Sequence, residues 1–215
     1  MNRGYHEIKE HGKREFPFNI YPCSIPVDFS HVALHWHEEM EIIAVKKGKG
    51  RITVDTVSYP VEEGDILAVF PGQLHAISCG NGERMEYENI IFRLSMLMGD
   101  NGDGCTVHFL KPLQEGQAKN PVLIQRNQPD HEVFGKVIQE LDRFSEIRGN
   151  GYQLAVKGQL FLFLYYAYGR GILFTEKKPG HAREKIKGIL EYIREHFGEE
   201  ITIRQAAELC FYSES

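Results

Sequence analysis

From His31 to about Phe92 the chain runs in short apolar stretches broken by turn residues. Val32–Leu34, Glu41–Val45, Arg51–Val57, Ile66–Phe70 and Met85–Leu94 are rich in β-branched or apolar side chains, the signature of strands. Gly48-Lys-Gly50, Glu62-Glu-Gly-Asp65, Pro71-Gly72 and Gly80-Asn-Gly82 punctuate them as turns. Short strands repeated at this spacing predict a sandwich or barrel. Residues 98–104 read as a loop, and Cys105–Leu110 and Val122–Ile124 as late strands. After Pro129 the period changes: Val133, Phe134, Val137, Ile138, Leu141 and Phe144 share one helical face. A second helix is expected over Leu154–Tyr168, apolar nearly all round from Leu160, with Gly169 and Gly171 marking its end. A helix of that kind has to be covered on several sides, by its own domain and by a second subunit.

Glu176-Lys-Lys-Pro-Gly180 reads as a linker. A third helical pattern follows in Ile186, Ile189, Leu190, Ile193 and Phe197, stopped at Gly198. Thr202 and Gln205 have capping-box spacing and open one more short helix. Ser213 is placed to cap another. The segments expected are therefore a barrel with an N-terminal arm over 1–128, dimerisation helices over 129–172, a linker over 173–182, and the start of a helical module over 183–215. The fold class is mainly β barrel followed by α-helices, α+β overall.

Composition narrows the function classes. The chain has 215 residues, 42% hydrophobic and 26% charged, ordinary values for a globular protein. Its longest apolar run, Leu160 to Tyr168, is nine residues, under half of the roughly 20 that cross a bilayer. No membrane partner is expected. The charged N-terminus lacks the apolar core of an export signal. Cys23, Cys79, Cys105 and Cys210 are scattered without any Cys-x-x-Cys spacing, which fits a reducing cytoplasm. The net charge of −5 leaves no electrostatic footprint for nucleic acid.

The chemistry concentrates in His35-Trp-His37-Glu-Glu-Met-Glu41 and Pro71-Gly-Gln-Leu-His75. Alternate residues of a strand share a face, so His35, His37 and Glu41 point one way and Trp36 the other. His75 comes from another strand through the Pro71-Gly72 turn. Three imidazoles and a carboxylate suit a divalent transition metal (zinc, iron, manganese or nickel) with open positions; a hydrogen-bonding pocket without metal uses the same residues. Phe16, Phe18, Tyr21 and Trp36 are aromatics close to the expected mouth, placed to stack on a ligand or to fill the core. His6, His11 and His131 read as solvated.

His35, His37, Glu41 and Gly48, in the order His-x-His, three residues, Glu, six residues, Gly, resemble the first motif of the cupins. Gly64 through Pro71-Gly72 to His75 resembles the second. The departures are Phe29 in place of a glycine, one extra residue between Gly64 and Pro71, and Cys79 in place of an asparagine. The wording His-Trp-His-Glu-Glu-Met-Glu-Ile-Ile, with Gly-Asp-Ile-Leu and Pro-Gly-x-x-His, is most similar to the sensor domain of AraC/XylS-type transcription regulators. That resemblance covers nearly the whole chain. It implies a cupin-like barrel (a double-stranded β-helix), dimerising helices, and then helix-turn-helix units of which only the first helices fall before Ser215.

Three function classes follow. A one-component transcription regulator would bind a small molecule, a sugar or other organic effector, in the barrel. It would bind DNA through a C-terminal part whose recognition helix lies beyond this chain, act as a homodimer, reside in the cytoplasm and catalyse nothing. A metal-dependent cupin enzyme, an oxygenase or isomerase, would use the same ligands. A DNA-free dimerising scaffold would have no pocket ligand. The Thr202-Ile-Arg-Gln-Ala-Ala-Glu-Leu segment, which an enzyme does not need, favours the regulator.

Overall fold

Fifteen residues that the turn signals divide in two form one strand. In the computed structural model, which describes residues 5–7, 9–100, 102–172, 181–196, 198, 202 and 205, strand β3 runs unbroken over Met40–Val54. Before it come β1 (Phe18–Ile25) and β2 (Val32–His35); after it come β4 (Val57–Glu62), β5 (Ile66–Val69), β6 (His75–Ser78), β7 (Met85–Phe92) and β8 (Val122–Ile124). The first part of β3 pairs with β7 and β5 in a sheet ordered β1-β7-β3-β5-β8. Its second part pairs with β4 and β6, and β6 in turn pairs with β2. All these ladders are antiparallel. One strand thus serves both sheets of a cupin-like barrel.

Gly48 and Gly50 are therefore a bend inside a strand and not a hairpin turn. The pairing of β3 with β7 is irregular between Val45 and Lys47. Gly48 has φ +78°, and a Cβ there would stand 2.0 Å from the carbonyl oxygen of Arg84. Only glycine lets the two backbones approach so closely where the strand bends from one sheet into the other. Strand β1, broken in sequence by Asn19, Pro22 and Ser24, forms because it lies at the end of its sheet on β7, where a proline is tolerated.

Residues 40–45 are buried on both faces, which explains their near-continuous apolar run. Ile43 and Val45 face a core with Ile25, Ile52, Leu67, Ile77, Met85 and Tyr87 inside the barrel. Ile42 and Ala44 face a second core shared with the helices. Helix α2 (His131–Ile147) buries Phe134, Val137, Ile138 and Leu141 in that core, and α3 (Tyr152–Gly169) buries Val156, Leu160, Phe163, Leu164 and Ala167. Each large side chain so buried contributes about 1.5–3 kcal/mol. Polar ties fix the helices to the sheet. Lys46 Nζ bridges Glu88 at 2.6 Å and Asp142 of α2 at 2.9 Å. Arg170 donates to both oxygens of Asp130, at 2.7 and 2.6 Å, and to the Leu123 carbonyl at 3.1 Å.

Cys105–Leu110 is helical, not a strand: a π-helical turn over Thr106–Leu110 runs into α1 (Lys111–Gln114). The cause is local. The Asp103 carboxylate accepts from the Thr106 amide at 2.7 Å and from its hydroxyl at 2.8 Å, holding the first turn as a helix cap does. Val122–Ile124 forms the expected short strand on β5. Helix α4 spans His181–Glu195, starting two residues before the expected boundary. Thr202 and Gln205 form the expected reciprocal cap: the Thr202 amide donates to Gln205 Oε1 at 2.8 Å and the Gln205 amide to Thr202 Oγ1 at 3.2 Å. Of the linker expected over 173–182, residues 173–180 lie outside the described residues and 181–182 belong to α4; the rest of that last helix and Ser213 also lie outside them. No helix among the described residues is long and apolar enough to cross a membrane.

Candidate metal and effector site

His35 ends β2, His37 follows just after it, Glu41 lies near the start of β3 and His75 opens β6. The turn at Pro71-Gly72 brings the last of these home: Gly72, at φ +76°, donates its amide to the His37 carbonyl at 2.8 Å. Strand pairing then sets His35 opposite His75, with ring centroids 4.1 Å apart. One potential ligand atom from each of His35, His37, Glu41 and His75 lies within 4.8 Å of all the others. A cation with bonds of about 2.1 Å keeps its ligand atoms roughly 3–4 Å apart, so the group closes on a metal with small side-chain movements.

Each imidazole is oriented by a backbone carbonyl. Nδ1 of His35 meets Ala33 O at 2.9 Å, that of His37 meets Glu39 O at 3.1 Å, and that of His75 meets Gln73 O at 3.0 Å. A carbonyl only accepts, so Nδ1 carries the proton in all three rings, and in the neutral tautomer Nε2 presents a lone pair. Metal-binding histidines are commonly held in this way. The Nε2 atoms of His37 and His75 face the same oxygen, Glu41 Oε2, at 2.9 and 3.2 Å. Lone pairs turned toward a buried carboxylate call for positive charge among them, supplied by a proton or by a cation. The donor set fits a divalent transition metal on this ground.

The electrostatics follow from burial. Burial, then His75, push the His35 imidazole down to about 4. Burial also opposes charge on His37, but the hydrogen bond and charge of Glu41, helped by Glu39, raise it above its usual value. Glu41 is fully enclosed; despite that, His75 and His37 hold its carboxyl well below the usual range. Glu39, buried at 3% exposure, accepts from Arg93 Nε at 2.8 Å.

The four aromatics expected at the mouth do not gather there. Phe16 and Phe18 line a cavity of about 410 Å³ shared with Asp142 and Tyr152 of the helical layer, and their rings pack into the core between sheet and helices. Tyr21 meets Nδ1 of His11 through its hydroxyl at 3.2 Å. Trp36 points away from the histidines, as strand parity requires, into a cavity of about 610 Å³ between the barrel rim and α4, lined also by Glu38, Arg93, Glu115, Lys187 and Glu191.

Of the three histidines read as solvated, His11 is buried, and His6 and His131 are half-buried with partners. His11 is 5% exposed, with its ring 6.3 Å from that of His37 and its Nε2 without a partner. His6 stacks on Trp36 at 3.9 Å, with planes 8° apart. His131 bonds the Gly64 carbonyl at 2.7 Å through Nε2. Sequence reading missed them because the arm that carries His6 and His11 has no period to show where it docks. It also missed Glu39 and Arg93, although Glu39 stands inside the quoted motif. Tyr87, buried in the barrel with its hydroxyl against the Cys23 thiol, had no sequence signal beyond its strand position.

The fold is a cupin-like barrel with a buried histidine-carboxylate centre, backed by two helices. The sequence pattern of the AraC-like ligand binding domain matches residues 26–164, and the chain belongs to that family. It is the effector-sensing, regulatory portion of an AraC-type protein. Over 210 residues it is 20% identical to the uncharacterized HTH-type transcriptional regulator YdeC of Bacillus subtilis (strain 168), covering 97% of this chain and 71% of that protein. Among solved structures it is similar to ToxT from Vibrio cholerae, with TM-score 0.45 and 14% identity over 93% of this chain and 72% of that one. It is also similar to a cupin 2 conserved barrel domain protein from Salinispora arenicola, with TM-score 0.34 and 20% identity over 41% of this chain and 74% of the other.

Proposed function

We propose that the barrel senses a small organic molecule at a divalent transition metal held by His35, His37, Glu41 and His75. In this reading the module governs DNA binding by a C-terminal helix-turn-helix part of the same cytoplasmic, non-enzymatic regulator. The observation that carries it is the convergence of two oriented Nε2 atoms, those of His37 and His75, on one buried carboxylate, with a ligand atom of His35 within 4.8 Å of all three groups. The metal would supply an electrophilic anchor for an oxygen or nitrogen donor of the effector. Trp36, lying between two of these ligands in sequence, touches both the arm and α4, so a rearrangement at the centre has a direct route to the helix that precedes the capped turn at Thr202. Such a shift requires the effector to bind one arrangement better than the other.

The assembly in this reading is a homodimer through α3. Leu154 is 77% exposed and Tyr165 71%, with Phe161 and Leu162 also exposed. Phe161 and Tyr165 line an apolar cavity of about 200 Å³ together with Phe109, Leu110 and Tyr168. A contiguous apolar patch of this kind marks an interface.

Elemental analysis of protein purified without an affinity tag tests the metal, and a melting screen over sugars, amino acids and organic acids tests the effector. The expected result is close to one equivalent of metal and a melting shift by one compound class that disappears in His37→Ala. Less than about a tenth of an equivalent, after incubation with zinc, iron, manganese or nickel, overturns the metal.

A further inference from the structure

The arm brings a second carboxylate to the histidine cluster. Glu7 Oε2 stands 3.5 Å from Nε2 of His35, the atom that Nδ1 bonding to Ala33 turns toward the centre. The distance is well beyond the 2.7–2.9 Å of a charge-assisted hydrogen bond. A carboxylate and an imidazole lone pair therefore face each other here without a bond between them, whereas Glu41 meets His37 and His75 at hydrogen-bond distance.

The backbone fixes Glu7 there. The Trp36 amide donates to Tyr5 O at 2.6 Å and the Glu7 amide to Trp36 O at 2.9 Å, so the arm lies parallel to the end of β2 with His6 bridged to Trp36. On such a pair, side chains alternate between faces. His6 falls on the Trp36 side, where the rings stack, and Glu7 falls on the side of His35 and His37. Charge argues in the same direction. Three neutral imidazoles and Glu41 leave a divalent cation with one uncompensated charge in a buried place, and a second carboxylate cancels it.

We propose that Glu7 is a further, arm-borne ligand of the cation held by His35, His37, Glu41 and His75, so that the arm docks on the barrel when the metal is bound. The proposal rests on the metal reading above. Its ligand class is a carboxylate oxygen on a divalent cation already held by the barrel. Removing it weakens binding without abolishing it, because four ligands remain. Opening of the arm would expose one side of the metal, the face an effector can approach.

The test uses the full chain with Zn²⁺ and with Co²⁺ as probes, comparing the native sequence with Glu7→Gln and Glu7→Ala. Competition with a chromophoric chelator gives the affinity, the Co²⁺ visible spectrum gives the coordination, and hydrogen exchange follows the amides of Glu7 and Trp36. The expected result is affinity lower by roughly 10- to 100-fold in both variants, a changed Co²⁺ spectrum, and metal-dependent slowing of both amides in the native chain alone. Equal affinity in all three proteins, or arm amides indifferent to metal, overturns the role of Glu7 and leaves the barrel site standing. Absence of binding by the native chain overturns both readings together.

Discussion

Lys187 of α4 holds its ammonium 3.7 Å over the ring of Trp36, while His6 of the arm stacks on the same ring at 3.9 Å. Two groups cannot share one face at those distances, so the indole is sandwiched between the arm and α4. A cation over an indole contributes about 0.5–2 kcal/mol, toward the upper end when desolvated, and Lys187 is 8% exposed.

Trp36 is the single tryptophan of the chain, so its fluorescence reports this sandwich. Lys187→Met should shift the emission and raise the rate at which α4 amides exchange, with the melting temperature of the barrel nearly unchanged. Fluorescence and hydrogen exchange measured on the same sample check it; an unchanged spectrum would show that α4 does not rest on Trp36.

Metal removal should destabilise the barrel. A ligand bound only by the folded state at 100 times its Kd stabilises by about 2.7 kcal/mol, and for a chain of this size each kcal/mol moves Tm by about 2–4 °C. Chelator-treated protein should thus melt roughly 5–10 °C lower than zinc-loaded protein, and Glu41→Gln should erase the difference. Scanning calorimetry of both forms decides it.

The metal-free protein should lose stability toward acid through His35. Its imidazole sits at about 4 in the folded chain against 6.5 ordinarily, so the unfolded chain takes up its proton first. This contribution is present at and above pH 6.5 and is lost as the pH falls to about 4, by up to about 1.4 kcal/mol per pH unit. His11, lowered by its burial, adds in the same direction. His37, raised, acts oppositely: its contribution is present below pH 6.5 and is lost as the pH rises through its folded value. Urea midpoints at pH 5 and 7 should differ less in His35→Gln than in the native chain.

Gly48→Ala should unfold the barrel or destabilise it strongly. The added methyl would meet the Arg84 carbonyl at 2.0 Å in a left-handed backbone, a combination of clash and strain that exceeds the roughly 1–3 kcal/mol typical of strained backbone alone. Gly82, also at positive φ but with nothing within 4 Å of an added Cβ, is the control, and Gly82→Ala should lose only the backbone term. Urea denaturation of the two variants separates them.

Tyr165→Glu on the exposed face of α3 should convert a dimer into monomer with the barrel still folded. Sedimentation equilibrium at tens of micromolar checks it, and a native chain already monomeric there would remove the dimer reading.

What the sequence determined by itself was whatever depends on neighbours along the chain. Alternation at the end of β2 placed His35 and His37 on one side of the chain and Trp36 on the other, whereas Glu41 belongs to β3 and joins them only in the fold. The 3.6-residue period placed Phe134, Val137, Ile138 and Leu141 against the core, and the spacing of Thr202 and Gln205 foretold their reciprocal cap. What tertiary structure decided depends on residues far apart. Gly48 reads as a turn until the Arg84 carbonyl is seen pressed against it, and Cys105–Leu110 reads as a strand although the Asp103 cap winds it into a helix. Phe16 and Phe18 went to the core under the helices and Tyr21 to His11, because the pairing of β1 with β7 and the docking of the arm before it are set by distant residues. For the same reason Glu7 reached His35, 28 residues away along the chain: a contact set by how the arm folds back over the barrel leaves no trace in local spacing.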